Sequence, residues 1–519
     1  MIKDIEIVVP VEFLSKTNYL LHESAYLLQL DLSDINGVKQ IRRSLDSRSD
    51  KICYRVLTRV FINEEPQDIY PKISYKPAKS KQKVIIVGSG PAGLFAALRL
   101  IELGIQPIII ERGKDVQERR RDIRALHQEH IVNPNSNWCF GEGGAGTYSD
   151  GKLYTRATKR GDVKKILNVF AHHGANEDIL IDSHPHIGSN KLPKIIKSVR
   201  ETIINNGGEV RFNSLVTDLI IKRKIIRGVV INDTEELLGD CVILATGHSA
   251  RDIFALLDKK QLKLEPKDFA MGVRIEHPQA LINEIQYHTK EKHEMLPSAS
   301  YGLSIQVDGR GVYSFCMCPG GIIVPAATDS GEVVVNGMSL ARRNSPFANS
   351  GLVVALNASD WKKDDNDDHF AALRFQQEYE HSAFEWANRT QSAPAQRVTD
   401  FIKGKDSTSL PRNSYIPGLT IAPLHQLLPP VIRKTLAKAF LVFDSRMKGY
   451  VTEDAIICAA ESRTSSPVRI TRDKLTYMAP DVKALFPCGE GAGYSGGIVS
   501  SAMDGENVAN AVARFLKVS

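Results

Sequence analysis

From Lys83 onward the chain alternates short runs of branched apolar residues with longer stretches of helical spacing. Lys83 to Val87 is a compact β-branched run, the pattern of a strand buried on both faces of a parallel sheet. Pro91 to Leu103 has helical spacing, with Pro near its first turn and Gly104 just past its end, an asymmetry that marks a helix. Gln106 to Ile110 is a second buried strand. Two parallel strands joined by a helix make a right-handed crossover, the nucleus of a doubly wound sheet.

The flanking segments read differently. Ile5 to Val9 alternates as a strand, Val38 to Leu45 has helical spacing, and Tyr54 to Phe61 alternates again. Residues 1–75 are therefore expected to form a small α/β module. Lys72 to Lys83, with Pro77 and five lysines, reads as a linker. Further on, Val210–Phe212, Leu215–Ile221, Ile226–Ile231 and Cys241–Ala245 read as four strands in succession. The region 261–450 changes texture, mixing strands at Gly311–Cys316 and Glu332–Val335 with an amphipathic helix near 368–388. Trp361 to Asp368 is charged and reads as a surface loop. No internal repeat is visible. The expected organisation is a dinucleotide domain built from 80–260 and a return segment 451–519, interrupted by an α+β insertion over 261–450.

Composition narrows the class without naming a function. A chain of 519 residues is too long for one core, and 42% hydrophobic with 24% charged residues is ordinary for a globular protein. The most apolar run, Val84 to Leu100, is broken by Gly88, Gly90, Pro91 and Gly93, so no membrane span is expected. Asp4 and Glu6 interrupt the order of a signal peptide, which makes a cytoplasmic location the expectation. Seven dispersed cysteines form neither a secreted disulfide framework nor a paired CxxC zinc set. His172-His173 and His184-Pro-His186 lack further ligand spacing, so no metal is expected. A formal charge of +7 is mildly basic, and the run Glu118 to Arg121 reads as a solvated helix face.

Four motifs carry chemistry. In Gly88-Ser-Gly90-Pro91-Ala92-Gly93, Gly88 permits the tight turn and Gly90 lets the backbone approach a pyrophosphate. Gly93 lets the helix pack on the strand, and the helix N-terminus offers free N–H groups to phosphate. Glu111, followed by Arg112, ends the second strand where a carboxylate can accept hydrogen bonds from ribose. Cys241 to Gly247 ends in Ala245-Thr246-Gly247, and this pattern, with Val216 in the preceding meander, resembles FAD enzymes of the glutathione-reductase-like fold. Gly489-Glu490, followed by Gly496-Gly497-Ile498 and a helix from about Val499, resembles their late FAD motif. In that motif an acid holds the ribityl chain, and the helix N-terminus faces the flavin pyrimidine. Many relatives have Asp where this chain has Glu490. Phe140 to Lys152, with Gly143, Gly144, Ala145, Gly146 and Thr147, stands where relatives place a glycine-rich loop against the ring.

These motifs occur in family order. With Gly-Thr-Tyr-Ser-Asp-Gly-Lys at 146–152, Gly272 to Pro278 and Phe315 to Gly321, the chain resembles the bacterial family named as FAD-dependent, or NAD(FAD)-utilising, dehydrogenases. The resemblance covers nearly the whole chain. It implies an α/β protein: a doubly wound, FAD-binding Rossmann-like domain with an inserted α+β substrate domain and the small N-terminal module.

Catalytic candidates lie in the insertion. Cys316 and Cys318 on a strand point to one face, where a thiolate could exchange electrons with flavin. Alternatively they are two small residues beneath the Gly320-Gly321 turn. Arg274 can hold a substrate carboxylate and His277 can move a proton, or both can belong to an internal ion-pair network. His248 reads as a cap of the segment after Ala-Thr-Gly or as a catalytic group. The function expected is an FAD-dependent oxidoreductase acting on a small organic substrate. Outside the FAD motifs the chain has no second GxGxxG turn, so NAD(P)H, if it is the donor, docks transiently. The alternatives are an FAD-dependent tRNA-modifying or RNA-binding protein, which the basic balance and N-terminal module permit, and a partner-binding protein with structural FAD.

Overall fold

Five parallel strands carry the nucleotide motifs in a computed structural model that describes residues 1–16, 18–49, 51–362 and 368–517. Their order is Leu485–Pro487, Cys241–Leu244, Lys83–Val87, Gln106–Ile110 and Glu209–Arg211. The first three bring the late motif, Ala-Thr-Gly and the glycine turn side by side at their C-terminal ends. In open α/β sheets this is where ligands bind. The Pro91–Glu102 helix packs against the long C-terminal helix Ile498–Leu516. The contact is close because Gly505 of the second helix has no side chain: a Cβ there would stand 2.2 Å from the Ala92 carbonyl oxygen.

The sheet is not doubly wound throughout. Between Glu209–Arg211 and Cys241–Leu244 the chain crosses over through an antiparallel meander, Val216–Lys222, Ile225–Ile231 and Glu235–Leu238, rather than a helix. The third meander strand was absent from the sequence expectation. It begins with Glu235 and Glu236, both exposed, and so lacks a hydrophobic signature.

The middle region builds a seven-stranded sheet in the order Ser304–Val307, Arg310–Cys318, Phe347–Leu356, Phe269–Pro278, Ile456–Glu461, Ala393–Arg397, Leu419–Ile421. Ile456–Glu461 lies past the boundary expected at 450, so this sheet reaches further along the chain than the sequence suggested. Helix Ala371–Trp386 falls inside the expected 368–388. The strand expected at Glu332–Val335 instead starts at Val335 and runs to Ser339. Glu332 belongs to the turn before it, where its carboxylate accepts from Thr328 N and Oγ1 and Asp329 N. In the segment expected as a charged loop, Trp361 is buried at the end of the Ala358–Trp361 helix, and residues 363–367 lie outside the described residues.

The N-terminal module is a three-stranded antiparallel sheet, Ile2–Pro10, Cys53–Ile62 and Ile35–Asp46, with helix Tyr19–Leu28. Val38 to Leu45 is therefore strand, not helix. A bulge between Gln40 and Arg42 adds Ile41 to the strand without a cross-strand partner. The extra residue spaces Val38, Ile41 and Leu45 as i, i+3 and i+7, imitating a helix. Ile7, Val9, Tyr54 and Val56 join the core of the middle region, so this module is packed onto it rather than tethered. Among the described residues no helix is long and apolar enough to cross a membrane.

Candidate active site

A cavity of about 380 Å³ opens where the glycine turn, Ala-Thr-Gly and the late motif meet. Its size falls in the range of small-molecule sites, about 300–1,000 Å³. Gly88, Gly90, Pro91, Ala92, Glu111, Arg112, Gly144, Ala145, Gly146, Val216, Ala245, Thr246, Gly247, Glu490, Gly496, Gly497 and Ile498 all line it. Gly93, Gly143, Thr147 and Gly489 stand behind this lining. A Cβ on Gly93 would lie 2.0 Å from the Gly88 carbonyl oxygen, so Gly93 serves packing, while a Cβ on Gly90 would meet nothing within 4 Å. Gly247, Gly496 and Gly497 are equally open. This floor of bare backbone fits an extended flat ligand.

Two helices begin at the cavity without a side-chain cap: Pro91–Glu102 from Gly90, and Ile498–Leu516 from Gly497. Their first-turn N–H groups and positive dipole ends are left for an anionic group. These features suit the pyrophosphate at one helix and electron-rich ring atoms at the other.

Glu111 corrects a simple ribose assignment. Its Oε2 accepts from Ser89 N at 2.9 Å and Ser89 Oγ at 2.7 Å, and its Oε1 from Gly113 N at 2.9 Å and Gly141 N at 3.0 Å. A carboxylate offers about four acceptor positions. Protein donors fill them, so Glu111 ties three loops together. Arg112 is held by Asp252 at 3.0 and 2.9 Å and stacks over Phe140.

The glycine-rich loop is set by a residue that sequence reasoning misread. Arg119, expected on a solvated helix face, is fully buried. Its guanidinium donates to the carbonyls of Asn137 at 2.7 Å, Trp138 at 2.8 Å, Glu142 at 2.9 Å and Gly144 at 3.0 Å. Three consecutive arginines gave no signal of which one turned inward.

Cys316 lines the cavity and Cys318 is fully buried beneath it. The strand is bulged here: register shifts between Phe315 and Cys318, and Cys316 has a left-handed φ of 45°. Lys152 Nζ stands 3.7 Å from both sulfur atoms. A hydrogen bond from Cys318, helped by the charges of Lys152 and Arg274, holds the Cys316 thiol well below its ordinary range despite burial. The same hydrogen bond, with burial, pushes Cys318 well above it. Asp150, also lining the cavity, is paired with Arg343 at 3.1 and 2.6 Å and lies 3.7 Å from Lys152. Lys152 stood in the glycine-rich motif, but only the fold brings it to the thiols.

Arg274 and His277 do not reach the cavity. Arg274 is fully buried, donating to Glu461 Oε2, Asn349 Oδ1 and the Cys316 carbonyl, each at 2.8 Å. The internal ion pair is therefore the alternative that the structure adopts, and Arg274, fully buried and absent from the cavity lining, does not face a substrate carboxylate. His277 is buried against Tyr450, its Nε2 2.8 Å from the Tyr450 carbonyl, and burial pushes its pKa down to about 4. It is a core residue, not a proton carrier.

Glu490 and His248 face each other across the cavity wall, 3.9 Å apart. Burial pushes Glu490 up to about 7 against the charge of Lys267. Burial, with Arg463, Arg251 and Lys267 nearby, pushes His248 down to about 3. Arg463 and Arg251 also pair with Glu332 and Glu380, joining the segment after Ala-Thr-Gly to the middle region. Sequence reasoning had no reason to select these four residues, which come from distant segments.

Comparison with known proteins identifies the cofactor. Residues 81–130 match the FAD binding domain family, residues 268–464 match the FAD-dependent protein, C-terminal domain-like family, and residues 1–61 match a domain of unknown function. The chain belongs to this family of FAD-dependent proteins, and FAD is its cofactor. A Clostridium beijerinckii protein, described as an uncharacterized protein, is 39% identical over 504 residues, covering 93% of each chain. Two further likenesses are partial. The FAD-dependent monooxygenase nodY2 of Hypoxylon pulicicidum is 25% identical over 38% of this chain and 44% of its own length. The thiamine thiazole synthase of Aeropyrum pernix is 24% identical over 33% of this chain and 56% of its own. Among solved structures, the flavin-dependent brominase Bmp2 has a TM-score of 0.38 at 13% identity, covering 84% of this chain and 79% of that one.

Proposed function

We propose that this protein is an FAD-dependent oxidoreductase that moves two electrons between a reduced donor and a small organic substrate within the one cavity. The observation that carries this reading is the meeting of the glycine floor and the Lys152-flanked Cys316 in a single cavity. When bound, FAD supplies the ability to accept and return a hydride or electrons at its ring. The chain's own residues do the rest. Gly90 and the two uncapped helix starts would hold and orient the cofactor, and Arg119 fixes the glycine-rich loop. The middle region covers the cavity, bringing Phe315, Cys316 and Asn336 to its wall and limiting water. Glu490, raised to about 7, can hold or release a proton near neutral pH.

The likeness to a monooxygenase covers less than half of either chain and does not choose between oxygen insertion and dehydrogenation. A nicotinamide donor would dock transiently, because the chain has no further GxGxxG turn outside the motifs already assigned to FAD. On the N-terminal module, Arg43, Arg55 and Arg59 are paired with Asp182, with Asp46 and Glu6, and with Asp4, so these arginines do not favour RNA over a small substrate.

Anaerobic mixing of the holoenzyme with NADH or NADPH tests the reading through the visible flavin absorbance. Bleaching by either supports the nicotinamide donor. An unchanged band with both contradicts that donor, and an unchanged band with dithionite contradicts a redox role.

A further inference from the structure

The cavity wall contains a second group able to carry two electrons. Cys316 and Cys318 converge on Lys152 Nζ at 3.7 Å each, and Cys318 Sγ approaches the Cys316 carbonyl at 3.2 Å. The bulge makes this possible. In a regular strand, side chains two residues apart stand parallel on one face. Here the register shift and the left-handed turn at Cys316 let both sulfurs reach one ammonium group. The surroundings are built to hold charge on sulfur. Arg274 Nη2 is 3.7 Å from Cys318 Sγ and is fixed by Glu461, while Lys152 is balanced by Asp150 as well as by the thiols. The two cysteines are also unequal in access: Cys316 reaches the cavity and Cys318 does not.

We infer that Cys316 and Cys318 form a redox couple that exchanges two electrons with the bound flavin and serves a small thiol or disulfide substrate, with Cys316 as the attacking sulfur. This inference rests on the oxidoreductase reading of the same cavity. In the oxidising direction for the thiols, the Cys316 thiolate and Cys318 thiol join as a disulfide. Their two electrons and the Cys318 proton pass to oxidised FAD, which becomes the singly protonated, reduced anion. Charge and protons balance without another reactant. In exchange with substrate, the Cys316 thiolate attacks a disulfide sulfur and expels a thiolate. Cys318 then displaces the second thiol from the mixed disulfide, closing the Cys316–Cys318 bond and losing its proton to that thiol or to solvent. Lys152 stabilises the anionic sulfur at each stage.

Reductive titration of the holoenzyme tests the inference. Protein oxidised with diamide and desalted is titrated anaerobically with dithionite, and cysteine linkage is mapped by peptide mass spectrometry after alkylation. The wild type is expected to take up about four electrons per FAD, two for the disulfide and two for the flavin, with a Cys316–Cys318 linkage in the oxidised sample. Cys316→Ser and Cys318→Ala are each expected to take up about two, with flavin still bound. Hydroxyethyl disulfide is expected to reoxidise the reduced wild type but not the reduced Cys316→Ser protein. Uptake of only two electrons by the wild type, equal uptake by both variants and wild type, or reoxidation of Cys316→Ser at the wild-type rate would overturn the couple. A flavin that bleaches with dithionite while the wild type takes only two electrons removes the thiol couple alone and leaves the oxidoreductase reading standing.

Discussion

The guanidinium of Arg119 donates a 3.0 Å hydrogen bond to the carbonyl oxygen of Gly144, whose backbone packs against Gly90 so closely that a Cβ on it would stand 3.2 Å from the Gly90 Cα. The glycine-rich loop is thus held from beneath by one buried cation whose partners are all carbonyl oxygens. Replacing Arg119 with Ala leaves four carbonyls without that donor and opens space under the loop. A buried acceptor left without its donor costs about 1–3 kcal/mol. We expect Arg119→Ala to lower the urea midpoint accordingly and to weaken FAD retention. Unchanged stability would show that the loop supports itself.

Gly93 separates packing from binding. Its missing Cβ would overlap the Gly88 carbonyl at 2.0 Å and press on the Ile86 side chain at 3.2 Å. Gly93→Ala should therefore force the helix away from the strand and destabilise the folded protein by about 1–3 kcal/mol or more. Thermal denaturation of the apoprotein checks this, and a wild-type melting temperature would contradict it.

Burial pushes Glu276 up to about 7 against the hydrogen bonds it accepts from Ser414 and the charge of Arg274. The folded protein therefore keeps a proton that the unfolded chain releases near pH 4.3. This contribution is fully present below the unfolded value and is lost as pH rises through about 7. Glu276→Gln should remove it, so that the loss of stability between about pH 5 and pH 8 shrinks by on the order of 2–3 kcal/mol. Glu461, also raised to about 7 by burial, leaves the variant with part of the slope. Denaturation at the two pH values decides; an equal or steeper fall in the variant contradicts the assignment.

Cys316 faces Cys318, Lys152, Arg274 and Asp150, and all but the last favour its thiolate. Its alkylation by iodoacetamide, located by peptide mapping, should titrate below the ordinary thiol value of about 8.5. Lys152→Met should move the midpoint upward. A wild-type midpoint at the ordinary value, unmoved by the substitution, would mean that Lys152 does not act on the sulfur.

The local grammar of the nucleotide fold was legible because each signal there is short-range. Lys83–Val87, the Pro91 helix and Ile498 declare themselves by period, proline and glycine, and their side chains need no distant partner to be recognised. The rest depended on tertiary context. Ile41 disguised a strand as a helix because a bulge is specified by the partner strand. Arg119 was indistinguishable from Arg120 and Arg121 until the loop it clamps was in place. Arg274 and His277 had chemically suitable side chains, but Glu461, Asn349 and Tyr450, all far along the chain, had already engaged them. Cys316 lines the cavity, yet Lys152, which stands 3.7 Å from its sulfur, lies more than a hundred residues away in sequence.

We expect the cofactor's phosphates to approach the backbone at Gly90, and Gly90→Val puts a side chain where they would lie. A Cβ at this position meets no protein atom within 4 Å, so the side chain enters the cavity without disturbing the fold. FAD content per chain, read from the visible spectrum alongside far-UV circular dichroism, is the measurement. A yellow wild type and a folded, colourless variant are expected; a folded variant that retains a full complement of FAD would rule out this placement of the phosphates.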